Sequence, residues 1–130
     1  MTKCLFILVV AITFAGCTSK ESNAPTSTLA PEAFQSQLQA TPGAVLLDVR
    51  TLEEVQSGRI KGEVNFDFKA PEFSLLIKGL DKTKPYFVYC ASGVRSGKAA
   101  DKMKEEGFEK VYTLEGGLKA WQAAGLPVQQ

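Results

Sequence analysis

Hydrophobic positions along the chain gather into short continuous runs, separated by stretches with helical spacing. AVLLDVR, residues 44–50, is apolar until it ends in charge, and its near-continuous hydrophobicity predicts a strand covered on both faces. PYFVYC, 85–90, opens at the Lys84-Pro85 step and has an Ala-Ser-Gly loop after it; it is the clearest strand signal in the chain. KVYTL, 110–114, and VNFDF, 64–68, read the same way. Between these runs the period changes. Phe34 and Leu38 stand four apart in PEAFQSQLQ, which Pro31 opens as a helix. Thr51 and Glu54 form a capping-box pattern ahead of TLEEVQSG, which Gly58 closes. APEFSLLIKGL predicts a helix from Pro71 to Lys78. SGKAADKMKEEG, from Ser96, carries Ala99, Ala100 and Met103 on one face with Gly107 as a stop. LKAWQAAG predicts a last helix ended by Gly125. Strands spaced by helices predict βα units and a parallel sheet.

The first sixteen residues have a different character. Lys3 precedes LFILVVAITFAG, an apolar stretch that stops at Cys17 and falls short of the ~20 residues that span a bilayer as a helix. It has the form of a signal peptide. Phe14 to Cys17, FAGC, resembles a bacterial lipobox, in which cleavage precedes a cysteine whose thiol then carries lipid; ordinary secretory cleavage near Ala15 or Gly16 is the alternative. The polar, small residues that follow suit a solvated tether. The expected division is therefore a leader over 1–16, a tether over 17–28 and one domain over 29–130. A lipidated Cys17 would hold that domain at a membrane of the bacterial cell envelope, facing the periplasm.

Composition narrows the chemistry. With 130 residues and 45% hydrophobic content, the chain can bury one core but not two. Removing Lys3 leaves fourteen basic side chains against fourteen acidic ones. That balance, with no basic stripe, argues against nucleic acid as a partner. Of the three cysteines, Cys4 leaves with the leader and Cys17 is the lipid site, so the domain holds one thiol, Cys90, without an intramolecular partner. The absence of histidine removes Ser-His-Asp triads, Cys-His dyads and a structural zinc site. No metal or other cofactor is expected. Any activation of Cys90 must come from elsewhere.

CASGVRS, residues 90–96, places that thiol at the carboxyl end of a central strand and at the start of a helix, where open α/β sheets bind ligands. Gly93 permits a positive φ that curls Ala91, Ser92, Gly93, Val94 and Arg95 so that successive amides point inward, forming an anion nest. Those amides and the Arg95 cation favour thiolate over thiol. A single cysteine ending a strand is otherwise a small buried hydrophobe. Arg95 either contacts a donor's oxyanion, the reading preferred here, or folds back on its own loop. Ser96 is expected to cap the following helix. Asp48 and Arg50 end a strand at the same sheet edge, where they either support the loop or pair with each other. Trp121 is expected in the core, and Gly116 and Gly117 in a tight turn near the site.

Three motifs resemble the single-domain rhodanese family. They are LLDVRTLEEVQSGRIKGEVNF, the loop CASGVRSGKAA, and LEGGLKAW. The resemblance covers roughly residues 29 to 128, and the order and spacing of the motifs are its specific part. It implies a three-layer α/β fold with a central, mainly parallel five-stranded sheet flanked by helices. It also implies a catalytic Cys90 that carries sulfur as a persulfide, taken from a small donor such as thiosulfate and passed to a thiol or cyanide, in a monomeric domain. Four residues separate Cys90 from Arg95, one fewer than in the related phosphatases and arsenate reductases. Ala91 stands where thiosulfate-specialised members tend to carry a cation or polar group. The alternatives are a noncatalytic module that carries or senses persulfide, and an oxyanion phosphatase or reductase.

Overall fold

The computed structural model describes residues 26–130. The leader, Cys17 and most of the tether lie outside the described residues. Ten elements follow in order: β1 (Thr26–Leu29), α1 (Pro31–Ala40), β2 (Val45–Asp48), α2 (Leu52–Gln56), β3 (Val64–Asn65), α3 (Phe73–Lys78), β4 (Pro85–Tyr89), α4 (Val94–Glu105), β5 (Lys110–Leu114) and α5 (Gly117–Ala123). The five strands form one sheet in the order β1-β5-β4-β2-β3, every neighbouring pair parallel.

Both faces of this sheet are covered, which accounts for the continuous apolar runs of β2 and β4. Strand side chains alternate between faces. Tyr86, Val88 and Cys90 therefore join Leu47, Val49, Phe73, Ala99, Ala100 and Met103 on the α3 and α4 side. Phe87 and Tyr89 join Leu46, Phe34, Leu118 and Trp121 on the α1 and α5 side. Three layers result. Aromatic edges pack the second face: Phe34 meets Phe87 at 5.3 Å and Trp121 at 6.4 Å, both near perpendicular.

The strand order reverses between β2 and β4. After β2 the chain steps outward to β3, then returns to the other side of β2 as β4 and continues to β5. The crevice at the carboxyl ends of β2 and β4 is thus the switch point of an open parallel sheet, the usual place for a ligand. Asp48 ends β2 there and Cys90 directly follows β4.

Two boundaries differ from the sequence expectation. Thr26 to Thr28, assigned above to the tether, belong to the sheet: β1 runs in register with β5 from Thr26 opposite Val111 to Leu29 opposite Leu114. The Thr28 and Thr113 hydroxyls meet at 3.0 Å. TSTL has no apolar run, and an edge strand needs none. VNFDF, conversely, keeps only Val64 and Asn65 as strand. The amides of Phe66 and Phe68 still donate to the Asp48 and Val49 carbonyls, but the Asn65 side chain also binds the Asp48 and Arg50 carbonyls and breaks the regular ladder.

Candidate active site

Cys90 is fully buried, one residue beyond β4. Gly93 then turns the chain with φ of 98° and serves as the N-cap of α4, a conformation that favours glycine. Because of this turn the Gly93 amide donates to the Cys90 sulfur at 3.1 Å. The Ser96 hydroxyl sits 3.5 Å from the same sulfur and also donates to the Gly93 carbonyl at 3.1 Å. A hydroxyl has one proton to give. While Cys90 is a thiol, its S–H can point to Ser96 and the hydroxyl can hold Gly93. When Cys90 ionises, the hydroxyl proton must turn to the sulfur.

Burial alone pushes the Cys90 thiol up. Hydrogen bonds from the Ser96 side chain and from the amides of Ser96, Ser92 and Gly93 outweigh it, and hold the thiol below its ordinary value. Ser96 in the first turn of α4, its N-cap Gly93 and the preceding Ser92 supply these donors. The sulfur therefore occupies an amide-lined anion site with no imidazole in it.

A second helix fixes the direction of the amides. At the start of α5 the Leu118 amide donates to the Cys90 carbonyl at 2.8 Å, and the Lys119 amide to the Ala91 carbonyl at 3.1 Å. In a planar trans peptide the C=O and the following N–H point opposite ways. Drawing those two carbonyls toward α5 therefore turns the Ala91 and Ser92 amides away from it, toward the concave side of the loop. Gly116 and Gly117 allow this approach, with φ of 70° and 62°. A Cβ on Gly117 would lie 2.5 Å from the Ala91 carbonyl carbon.

Arg50 and Arg95, the two arginines near the loop, are both paired. Arg50 binds Asp48 through Nε and Nη2, at 2.6 Å for the closest contact, and both residues are buried. Its remaining donors reach the carbonyls of Glu54 and Gly58, and its guanidinium lies over the Tyr89 ring at 5.5 Å. Burial, with Asp48 adding to it, pushes the Tyr89 hydroxyl far above the usual phenol range. Arg95 makes a two-pronged bond to Glu54: Nη1 to Oε2 and Nη2 to Oε1, each 2.7 Å. The same Glu54 closes the capping box of α2 with Thr51. Arg95, opposed by burial but helped by Thr51, draws the Glu54 carboxyl down to about 2.

A family model described as a rhodanese-like domain matches residues 30–124. The chain belongs to the rhodanese-like family. It is 34% identical over 101 residues to a protein named thiosulfate sulfurtransferase GlpE from Actinobacillus succinogenes, spanning 78% of this chain and 88% of that one. Over 77 residues, 57% of this chain, it is 43% identical to 25% of a tRNA uridine(34) hydroxylase from Cytophaga hutchinsonii. The crystal structure of a rhodanese-related protein from Thermoplasma volcanium aligns with a TM-score of 0.70 at 27% identity, over 79% of this chain and 97% of that chain.

Within this rhodanese-like domain, Cys90 and the Ala91 to Ser96 loop come together as one concave unit. Ser92 and Val94 are exposed, and Ala91, Gly93 and Arg95 partly so. Two expectations change, for Arg95 and Ser96, and the two readings left open for Asp48 and Arg50 are decided. Arg95 turns to Glu54 rather than standing free to meet a donor. Ser96 does not cap α4, which starts two residues earlier at Val94; its buried hydroxyl serves the sulfur and the Gly93 carbonyl instead. Asp48 and Arg50 pair with each other, and none of their hydrogen bonds reaches the Cys90 loop; they brace α2. Trp121 is core, its indole N–H donating to the Pro127 carbonyl at 3.0 Å. Sequence reasoning missed Glu54, whose capping-box role accounted for it locally, and the amides of Leu118 and Lys119. The adjacent glycines were the one signal pointing toward the latter. A cavity of about 610 Å³ opens between α1, α5 and the C-terminal tail, lined by Leu38, Leu46, Ile60, Trp121 and Val128. No residue of the Cys90 loop lines it, so it is not the place where this thiol works.

Proposed function

We propose that this domain is a sulfurtransferase that carries sulfur on Cys90. The observation that carries the reading is the Gly93 amide 3.1 Å from the Cys90 sulfur, within a loop whose donors stabilise an anion there. In the first half-reaction the Cys90 thiolate attacks the outer sulfur of a sulfane donor. A new S–S bond forms as the donor's own S–S bond breaks, and its electron pair leaves with sulfite when the donor is thiosulfate, or with a thiolate when it is a persulfide. The terminal sulfur of the resulting Cys90 persulfide is again anionic, and in this reading it is held by the loop amides, a role supported by the Ser92 and Gly93 amides already acting on Sγ. An acceptor thiolate or cyanide then takes that sulfur, and the electron pair of the breaking S–S bond returns to Cys90. The steps conserve electrons, so no redox cofactor is required.

The test is direct. Wild-type protein incubated with thiosulfate or a thiol persulfide should gain the mass of one sulfur atom on Cys90 and lose it to cyanide, with turnover. Stable loading without turnover would instead favour a noncatalytic persulfide carrier.

We also propose that FAGC and the segment after it tether the domain to a membrane of the cell envelope through lipid on Cys17. Two acyl chains suffice for stable anchoring. Full-length protein made in bacteria should enter the detergent phase, and Cys17→Ser should release or misprocess it. A soluble wild-type protein would refute the tether.

A further inference from the structure

Arg95 is a partly exposed residue of the Cys90 loop, but its charge is committed. Two of its guanidinium nitrogens meet the two oxygens of Glu54 at 2.7 Å, a geometry that fixes orientation as well as distance. Glu54 is itself held. Its Oε2 also accepts from the Thr51 amide and hydroxyl, both at 3.0 Å, while its carbonyl accepts from the buried Arg50. Arg95 senses the Cys90 sulfur, and Asp67 as well. Together with Glu54, these groups favour the charged form of Arg95. Lys119, whose amide holds the Ala91 carbonyl, has an exposed side chain.

The consequence concerns the donor. A thiosulfate dianion approaching Cys90 gains most from a free guanidinium and loses from a carboxylate beside it. A persulfide of an uncharged thiol carries at most one negative charge, and its terminal sulfur needs only the amides. Resting on the sulfurtransferase reading, we infer that Glu54 is a specificity-determining positioning residue: by clamping Arg95 it withholds the loop's cation from the donor and directs the site to thiol persulfides over dianionic thiosulfate. Transfer from such a donor is balanced, with the Cys90 thiolate bonding to the outer sulfur as the carrier thiolate departs.

Two probes alkylate the same thiolate with loss of iodide and differ in charge: anionic iodoacetate and neutral iodoacetamide. The ratio of their rates at Cys90 cancels any change in the thiol's pKa and reports the field at the loop mouth. Glu54→Gln should raise the iodoacetate to iodoacetamide ratio by about tenfold. Arg95→Ala, which leaves Glu54 unopposed, should lower it, and the double variant should return near the wild-type value. The same Glu54→Gln protein should gain kcat/KM for thiosulfate by a similar factor without gaining on the persulfide of mercaptoethanol. Single variants that shift the ratio in the same direction, or not at all, overturn the inference; should Glu54→Gln not fold, an unchanged ratio in Arg95→Ala does so alone. Because the alkylation ratio needs no sulfur transfer, it separates failure of this inference from failure of the sulfurtransferase reading, which would appear as absence of a Cys90 persulfide with every donor.

Discussion

The Leu118 amide lies 2.8 Å from the Cys90 carbonyl, so the first turn of α5 holds the strand end from which the Cys90 loop springs. Gly117 makes that approach possible. A side chain there would meet the Ala91 carbonyl carbon and oxygen at 2.5 and 2.6 Å and the Cys90 carbonyl oxygen at 2.6 Å, on a backbone with φ of 62°. Backbone atoms cannot move aside as a flexible side chain does. Gly117→Ala should therefore cost about 2–5 kcal/mol, the sum of left-handed strain and overpacking. Chemical denaturation measures the loss. The surviving folded protein should also react more slowly at Cys90, because its amides are re-aimed.

Thiolate stabilisation rests on Ser96 more than on Arg95. The Ser96 hydroxyl and amide oppose the burial of Cys90, whereas Arg95 is paired with Glu54. Ser96→Ala should raise the midpoint of the pH–alkylation profile, and Arg95→Ala should move it less. The sign for stability follows from the lowered thiol. Its contribution is fully present above the unfolded thiol value near ~8.5 and is lost as pH falls through the folded value. Wild type should accordingly gain stability from neutral pH to pH 9 relative to Ser96→Ala. Equal midpoints for wild type and Ser96→Ala would remove the hydroxyl from the site.

Much of this arrangement was legible in the sequence, for physical reasons that also mark the limits. Strand β4 announced itself because a strand buried on both faces must be apolar throughout, and Cys90 stood out because Gly93 and a helix start follow it. The Glu54–Arg95 bond was not legible. It joins residues 41 apart, and the local capping-box pattern already explained the carboxylate. Asp48 and Arg50 left two readings open because an i, i+2 pair on a strand points to one side, where either a mutual bond or a shared ligand is possible. Only the carbonyls of Glu54 and Gly58, brought over by α2, decide that Arg50 is fully occupied. Edge strand β1 lacked a signal because its stabilising contacts are backbone pairs to β5, and those leave no mark in side-chain periodicity.

That edge strand yields a prediction about where the domain can be cut. Thr26–Leu29 pairs along its whole length with β5, and Leu29 packs against the Phe34 and Trp121 cluster. A chain shortened to begin at Ala30 loses these bonds and leaves β5 as an unprotected edge. At about 1 kcal/mol net per backbone bond, the loss is roughly 2–4 kcal/mol. Its thermal midpoint should fall by on the order of 10 °C relative to a chain beginning at Asn23. Equal midpoints by calorimetry would show that β1 contributes nothing to stability.

Loop size offers the sharpest separation of sulfur transfer from oxyanion chemistry. Four residues lie between Cys90 and Arg95, and the turn is closed at both ends. The Gly93 amide reaches the sulfur at 3.1 Å, and the Gly93 carbonyl accepts from the Gly97 amide at 3.1 Å and from the Ser96 hydroxyl at the same distance. Donors must stand about 2.7–3.2 Å from the atom they stabilise, and a ring this short is expected to suit one terminal sulfur better than a tetrahedral group. Arg95, held by Glu54, is also turned from the role of clamping a phosphoryl oxygen. Inserting one glycine after Gly93 should widen the ring and break the Gly93 to sulfur contact. Persulfide formation at Cys90 should fall at least about tenfold, while binding of arsenate or phosphate, followed by protection of Cys90 from alkylation, should strengthen. Wild type should show negligible hydrolysis of an aryl phosphate. Measurable wild-type phosphatase turnover, together with no sulfur adduct from any sulfane donor, would replace the sulfurtransferase reading with the phosphatase one.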